Sequence, residues 1–162
     1  MGLSTIDIRL LTADEWEVFR RIRLRTLTDS PQFFGSTLAE AQARTEADWR
    51  VALGNRAQFV ASAEGAELGT VAGMPDPERG GVHLISMWVA PEARGTGVAD
   101  LLVRTVLDWA GAGGHTAVWL EFAEGNAVAE RLYLRNGFVR TGMSGLVRPD
   151  ESRVEFEMVR KL

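Results

Sequence analysis

Cysteine is absent from this 162-residue sequence, which removes disulfides, a thiolate nucleophile and a cysteine zinc cluster from consideration. No stretch approaches membrane-spanning length, and the N-terminal MGLSTIDIRLL lacks the basic segment and long apolar run of a secretory signal. A cytoplasmic location with no membrane partner is therefore the default expectation. Positive charge is in deficit: 18 Lys and Arg against 22 Asp and Glu leave a formal net charge of −4, which argues against non-specific binding to nucleic acid. Repeats, low-complexity tracts and linkers are missing too. With 46% hydrophobic and 25% charged residues, one domain over residues 1–162, with a sizeable core, is the simplest account.

What is present concentrates between His83 and Leu102. Leu84, Ile85, Met87, Trp88 and Val89 read as a buried strand, Pro91 opens a turn, Arg94-Gly95-Thr96-Gly97 forms a glycine-bearing loop, and an apolar helix begins near Val98. A strand that passes through small residues into a helix start leaves backbone N–H groups pointing outward, with the positive end of the helix dipole behind them. Phosphate or pyrophosphate suits such a cradle, and Arg94 adds charge-assisted donors. Two familiar glycine loops do not fit. Asp100 stands where a dinucleotide fingerprint needs its third glycine, and no Gly-Lys-Ser/Thr follows as in a P-loop.

Along the rest of the chain, Ile6, Ile8 and Leu10 alternate as a half-buried strand, and Trp16, Phe19, Ile22, Leu24 and Leu27 recur at helical spacing. Arg20, Arg21, Arg23 and Arg25 crowd that helix, either as its solvated face or in contact with an acidic acceptor. Pro31 breaks it, and a second helix is expected over 38–53. Residues 58–63 and 68–74 read as strands of a hairpin. Residues 117–122 read as a strand parallel to the central one, because a helix-length crossover separates them. Asn126 caps a helix ending at Asn136-Gly137, residues 154–160 alternate as a last strand, and residues 142–152 read as a mobile loop.

Arg94 to Ala99 has the form Arg-x-x-Gly-x-Ala, and Asn126 to Phe138, NAVAERLYLRNGF, adds an asparagine, Leu-Tyr and Gly-Phe. In these two motifs the chain resembles the GNAT superfamily of N-acetyltransferases. The resemblance implies an α/β (α+β) fold: a mixed sheet of six to seven strands, about four flanking helices and a splayed pair of parallel central strands. It implies acetyl-CoA as cosubstrate, with Arg94, Gly95, Thr96, Gly97, Val98 and Ala99 on the pyrophosphate. Met87, Trp88 and Val89 would lie along the pantetheine arm, and Asn126 would help to hold the cofactor. Tyr133, the one tyrosine of the chain, matches the acid that protonates the departing thiolate; read without the resemblance, it is a half-buried core tyrosine.

The implied reaction moves acetyl directly to a primary amine, without metal. Phe34, Ser86 and Trp88 are the candidate acceptor-pocket residues. Many relatives place a glutamate base on the central strand where Ser86 stands here. Glu121 is then the best remaining carboxylate; His83 is weaker, and a water chain is the alternative. A small amine such as an amino acid, polyamine or antibiotic is the leading acceptor, ahead of a protein N-terminus or lysine. A non-catalytic acyl-CoA sensor is the reading from another class, and the resemblance allows a homodimer.

Overall fold

The computed structural model describes residues 5–162. In chain order the elements are β1 (Asp7–Leu10), α1 (Trp16–Asp29), α2 (Leu38–Gln42), α3 (Glu46–Gly54), β2 (Ala57–Ala63), β3 (Ala66–Asp76) and β4 (Gly81–Val89). They continue with α4 (Val98–Ala112), β5 (Ala117–Ala123), α5 (Ala127–Arg135), β6 (Val139–Leu146) and β7 (Val154–Lys161). Seven strands form one sheet in the order β1-β2-β3-β4-β5-β7-β6, antiparallel except where β4 meets β5. This is the expected mixed sheet with its parallel central pair.

The helix expected over 38–53 is two helices. Thr37 and Thr45 each cap a first turn: the Glu40 N–H donates to Thr37 Oγ1 at 3.1 Å and the Asp48 N–H to Thr45 Oγ1 at 3.2 Å, with the acid side chains returning the bond in both cases. The second cap restarts the chain in a new direction. Residues 142–146, expected in the loop, continue β6 instead: Ser144, Gly145 and Leu146 pair with Phe156, Glu155 and Val154, and the residues between Arg140 and Ser144 form the register irregularity, a bulge.

The sheet has a core on each face. On one, α4 buries Val98, Leu102, Val106 and Ala110 against Phe59, Val71, Leu84, Val118 and Leu120. On the other, α1 and α3 bury Phe19, Ile22, Leu27 and Trp49 against Val60 and Trp88. Trp49 is fully buried, its ring edge-on to Phe19 at 5.2 Å.

Two features shape the middle of the sheet. At its base, Gly81 opens β4 tight against β5: a side chain there would collide with the Ala117 carbonyl and the Trp119 ring. Higher up, Ser86 adopts φ 59° where the register between β3 and β4 slips, so an extra residue bends β4. The two parallel strands pair at Val82 with Val118 and at His83 with Trp119, and then separate. Because of the bulge, Val82 and Leu84 face α4 below it, Met87 and Val89 face α4 above it, and Trp88 turns to the α1–α3 side.

Candidate active site

The gap between the diverging strands opens a cleft of about 1060 Å³. One end is the loop between β4 and α4. Gly95 and Gly97 take φ 78° and 90°, a region only glycine enters freely, and a Cβ on either would meet open space. Gly97 caps α4, whose first closing bond runs from the Leu101 N–H to the Gly97 carbonyl at 3.2 Å. The N–H groups of Gly95, Gly97, Val98 and Ala99 have no acceptor among the described residues. Together with the helix dipole they make a positive, uncrowded concavity that fits a diphosphate.

The side chains of this segment serve other ends. Val98 is buried in the α4 core and offers backbone only, while Thr96 gives both its hydroxyl and its N–H, the latter at 3.3 Å, to the Ala93 carbonyl. Arg94 donates from Nε to the Val89 carbonyl at 3.1 Å and pairs with Asp29. Asp29 Oδ2 also accepts from the Ser30 hydroxyl at 2.6 Å and from Trp88 Nε1 at 3.0 Å. The Ser30 hydroxyl, with Trp88 and Arg94, holds the Asp29 carboxyl below its usual range. Asp100, in place of a third glycine, accepts two bonds from Arg135 and one from Asn136, each at 2.9 Å, and so ties α4 to α5.

Asn126 and Tyr133 line the middle of the cleft from α5. Asn126 caps that helix through Oδ1 to the Ala129 N–H at 3.2 Å. Tyr133 is 5% exposed and packs edge-on to Phe138 at 5.8 Å, as a tyrosine of the core would. Its hydroxyl nevertheless makes no hydrogen bond among the described residues. Burial pushes the phenol above its ordinary value, so it is protonated at every working pH.

The far end is built from remote segments. Phe34 and Arg23 face the cleft, with the guanidinium 5.1 Å from the ring centroid, and Arg56 reaches Ser86 Oγ at 3.5 Å. Arg23 is thus a wall of the cleft rather than part of a solvated helix face, whereas Arg21 does reach outward, to Glu67 at 2.8 Å. The segment after β6 closes this end: Arg148 donates to the Gly35 carbonyl at 2.7 Å and to Glu40 at 2.6 Å, and Arg153 donates to the Gln32 carbonyl at 2.8 Å. The loop expected to be mobile is therefore clasped to the α1–α2 connection. Arg148 holds the Glu40 carboxyl down to about 2.

Glu121 also lines the cleft, and it brings in His83: Nε2 lies 3.3 Å from Glu121 Oε1, with Asp76 3.6 Å from Nδ1. The bond to Glu121 raises the His83 pKa above 6.5. The residue that sequence reasoning missed is Glu155. It lies in the same cleft on β7, opposite Ala123, and burial together with the Glu121 charge raises its pKa. Its only sequence signal was the alternation of the last strand, which does not tell that β7 inserts beside β5.

The profile of the acetyltransferase (GNAT) family matches residues 16–138, which take in the β4–α4 loop, the strand gap and Tyr133. The chain belongs to that family. Over 88 residues it is 40% identical to N-acetyltransferase 8F1 of Rattus norvegicus, a match covering 52% of this chain and 40% of that protein. The chain spans about two fifths of the length of the curated relatives it matches. A GNAT-family acetyltransferase of Streptococcus pneumoniae superimposes with a TM-score of 0.82 at 19% identity, covering 98% of this chain and 99% of that one. A Salmonella typhimurium protein solved with its cofactor acetyl-CoA gives a TM-score of 0.78 at 18% identity, covering 98% and 95%. At such identities the likeness is one of fold.

Proposed function

We propose that residues 1–162 work as one acetyl-CoA-dependent N-acetyltransferase domain that transfers acetyl to the primary amine of a small molecule. The observation that carries this reading is the continuity of one cleft, from unpaired N–H groups at the start of α4, past the Tyr133 hydroxyl, to a closed end holding Glu121 and Glu155. The backbone of Gly95, Gly97, Val98 and Ala99 would hold the pyrophosphate. Beyond His83 the β5-side edge of β4 has no partner strand among the described residues, so Met87, Trp88 and Val89 can pair their backbone with an extended arm. Acetyl-CoA supplies an acyl thioester when bound there.

This chain's own groups do the rest. Backbone donors at the free edge near Val89 stabilise the charge that develops on the carbonyl oxygen. The Tyr133 hydroxyl delivers a proton to the leaving sulfur, a role suited to a phenol that remains protonated and has no competing acceptor among the described residues. Glu155 takes the proton of the incoming ammonium. Its raised pKa makes it a stronger base than an exposed glutamate, and Glu121 beside it sustains that shift.

The clasped loop favours a small acceptor, since Arg148 and Arg153 close the route by which an extended peptide would enter over Phe34. The test is calorimetric titration with acetyl-CoA, followed by free-thiol release in the presence of a panel of primary amines. Micromolar binding with amine-dependent thiol release is expected. Binding without release on any amine would turn the reading to a sensor, and release only on peptides would turn it to a protein acetyltransferase.

A further inference from the structure

Arg23, Arg44 and Arg56 converge on the closed end of the cleft from α1, the α2–α3 turn and the start of β2. Their stems are fixed by aromatic rings: the Arg23 guanidinium lies 5.1 Å from the centre of Phe34, that of Arg44 5.0 Å from Trp49 and that of Arg56 5.8 Å from Phe19. None has a carboxylate within ion-pair distance among the described residues, although most arginines of this protein do, including Arg21, Arg25 and Arg50 on the same helices. Asp48, which feels the Arg44 charge, lies beyond that distance and holds the Thr45 N–H with Oδ2. Arg23 Nη1 and Arg56 Nε are fully buried and have no hydrogen-bond partner among the described residues.

Three neighbouring cations without a counter-ion, two of them with buried unpaired donors, form a costly arrangement in a folded protein. Burial and mutual repulsion depress the Arg23 pKa to about 10, so the group is still charged in use. A planar guanidinium fork matches a carboxylate. Across the same cleft stand Glu121 and Glu155, which match an ammonium. The cleft is therefore polar in a fixed sense, positive at the α1–α3 wall and negative at the β5–β7 wall.

We infer that the acceptor is an amine that also carries a carboxylate, an amino acid, with its carboxylate on Arg23, Arg44 and Arg56 and its amino group toward Glu155. This rests on the acetyltransferase reading and narrows it, because a polyamine would meet three like charges. The same cations would also accept a phosphonate, so the assay must separate the two anions.

The experiment compares each amino acid of a standard panel with its C-terminal amide, its decarboxylated amine and its aminophosphonate analogue. Both equilibrium binding in the presence of coenzyme A and thiol release with acetyl-CoA are measured. For the preferred side chain, the carboxylate is expected to improve kcat/KM over the amide about 10- to 100-fold, through KM, as for one charge-assisted anchor. Arg44→Gln and Arg56→Gln should each shrink that ratio severalfold, and Arg56→Lys should recover part of it. Arg44 lies in the turn between α2 and α3 and is only partly buried, so its variant reports even where Arg23→Met fails to fold. Equal use of acid and amide, or preference for the decarboxylated amine, would overturn the inference and leave acetyl transfer intact. A preference for the aminophosphonate would overturn the carboxylate assignment. Carboxylate-selective binding with no thiol release would sink the acetyltransferase reading while the anion site stands.

Discussion

The two ends of the cleft are made in opposite ways. The proposed cradle is one contiguous segment, Arg94 to Ala99, and offers backbone N–H groups that glycine conformation and a helix start expose. The closed end draws on α1, the α1–α2 connection, the start of β2, β4, β5, β7 and the loop after β6, and it works through side chains. A backbone site recognises what every bound cofactor shares, whereas a side-chain site can be rebuilt by substitution without disturbing the cofactor. The division separates what is constant in such a reaction from what sets its specificity.

Substitutions can break this comparison one end at a time. Tyr133→Phe, at the junction, should lower kcat about 10²- to 10⁴-fold with little change in acetyl-CoA affinity, as expected for loss of a general acid; stopped-flow thiol release and calorimetry separate the two. Gly97→Val puts a branched side chain at φ 90° in the open cradle, and calorimetry should show acetyl-CoA affinity falling about 100-fold or more with the closed end intact. Glu155→Gln should lower kcat/KM about 10- to 100-fold and flatten the acid limb of its pH profile. Unchanged rates would return the base to Glu121 or to a water chain.

The smallest effect concerns His83. Its pKa is raised in the fold by Glu121, so the pair stabilises the protein below the unfolded histidine value near 6.5, and the contribution is lost as pH rises through the folded value. In Glu121→Gln, NMR titration should find His83 returning toward 6.5, and thermal melting should lose its extra stability on the acidic side. Away from the cleft, Trp49→Ala removes a fully buried ring beneath Arg44 and should cost about 3–5 kcal/mol in denaturant unfolding.

The same contrast governs what the sequence alone could tell. Arg94 to Ala99 carries its geometry in residues that are neighbours in the chain, so strand, loop and helix start could be read together, and with them the N–H groups proposed to hold the diphosphate. The parallel pairing of β4 with β5 was accessible through the helix-length crossover between them. Other features were set by tertiary placement. Arg23 shares the charge pattern of Arg21 on one helix, and only the packing of Phe34 turns one inward while Glu67 holds the other outward. Glu155 became a site residue because β7 inserts between β5 and β6, which alternation along a single strand cannot reveal. The break after α2 was written in Thr45 and Asp48, a capping pair hidden inside an apolar repeat that otherwise continues. The loop after β6 is held by arginines whose partners lie more than a hundred residues earlier.

Gly81 has a consequence of another kind. The parallel strands behave like the legs of drawing compasses, joined at a pivot where no atom can be added and parting toward the tips. From that pivot to Trp88 is roughly 20 Å of strand at about 3.3 Å per residue, so a methyl group wedged at the joint would be magnified into a wider mouth. Swapping Gly81 for alanine thus offers a way to retune which acceptors enter without altering a single residue that touches them.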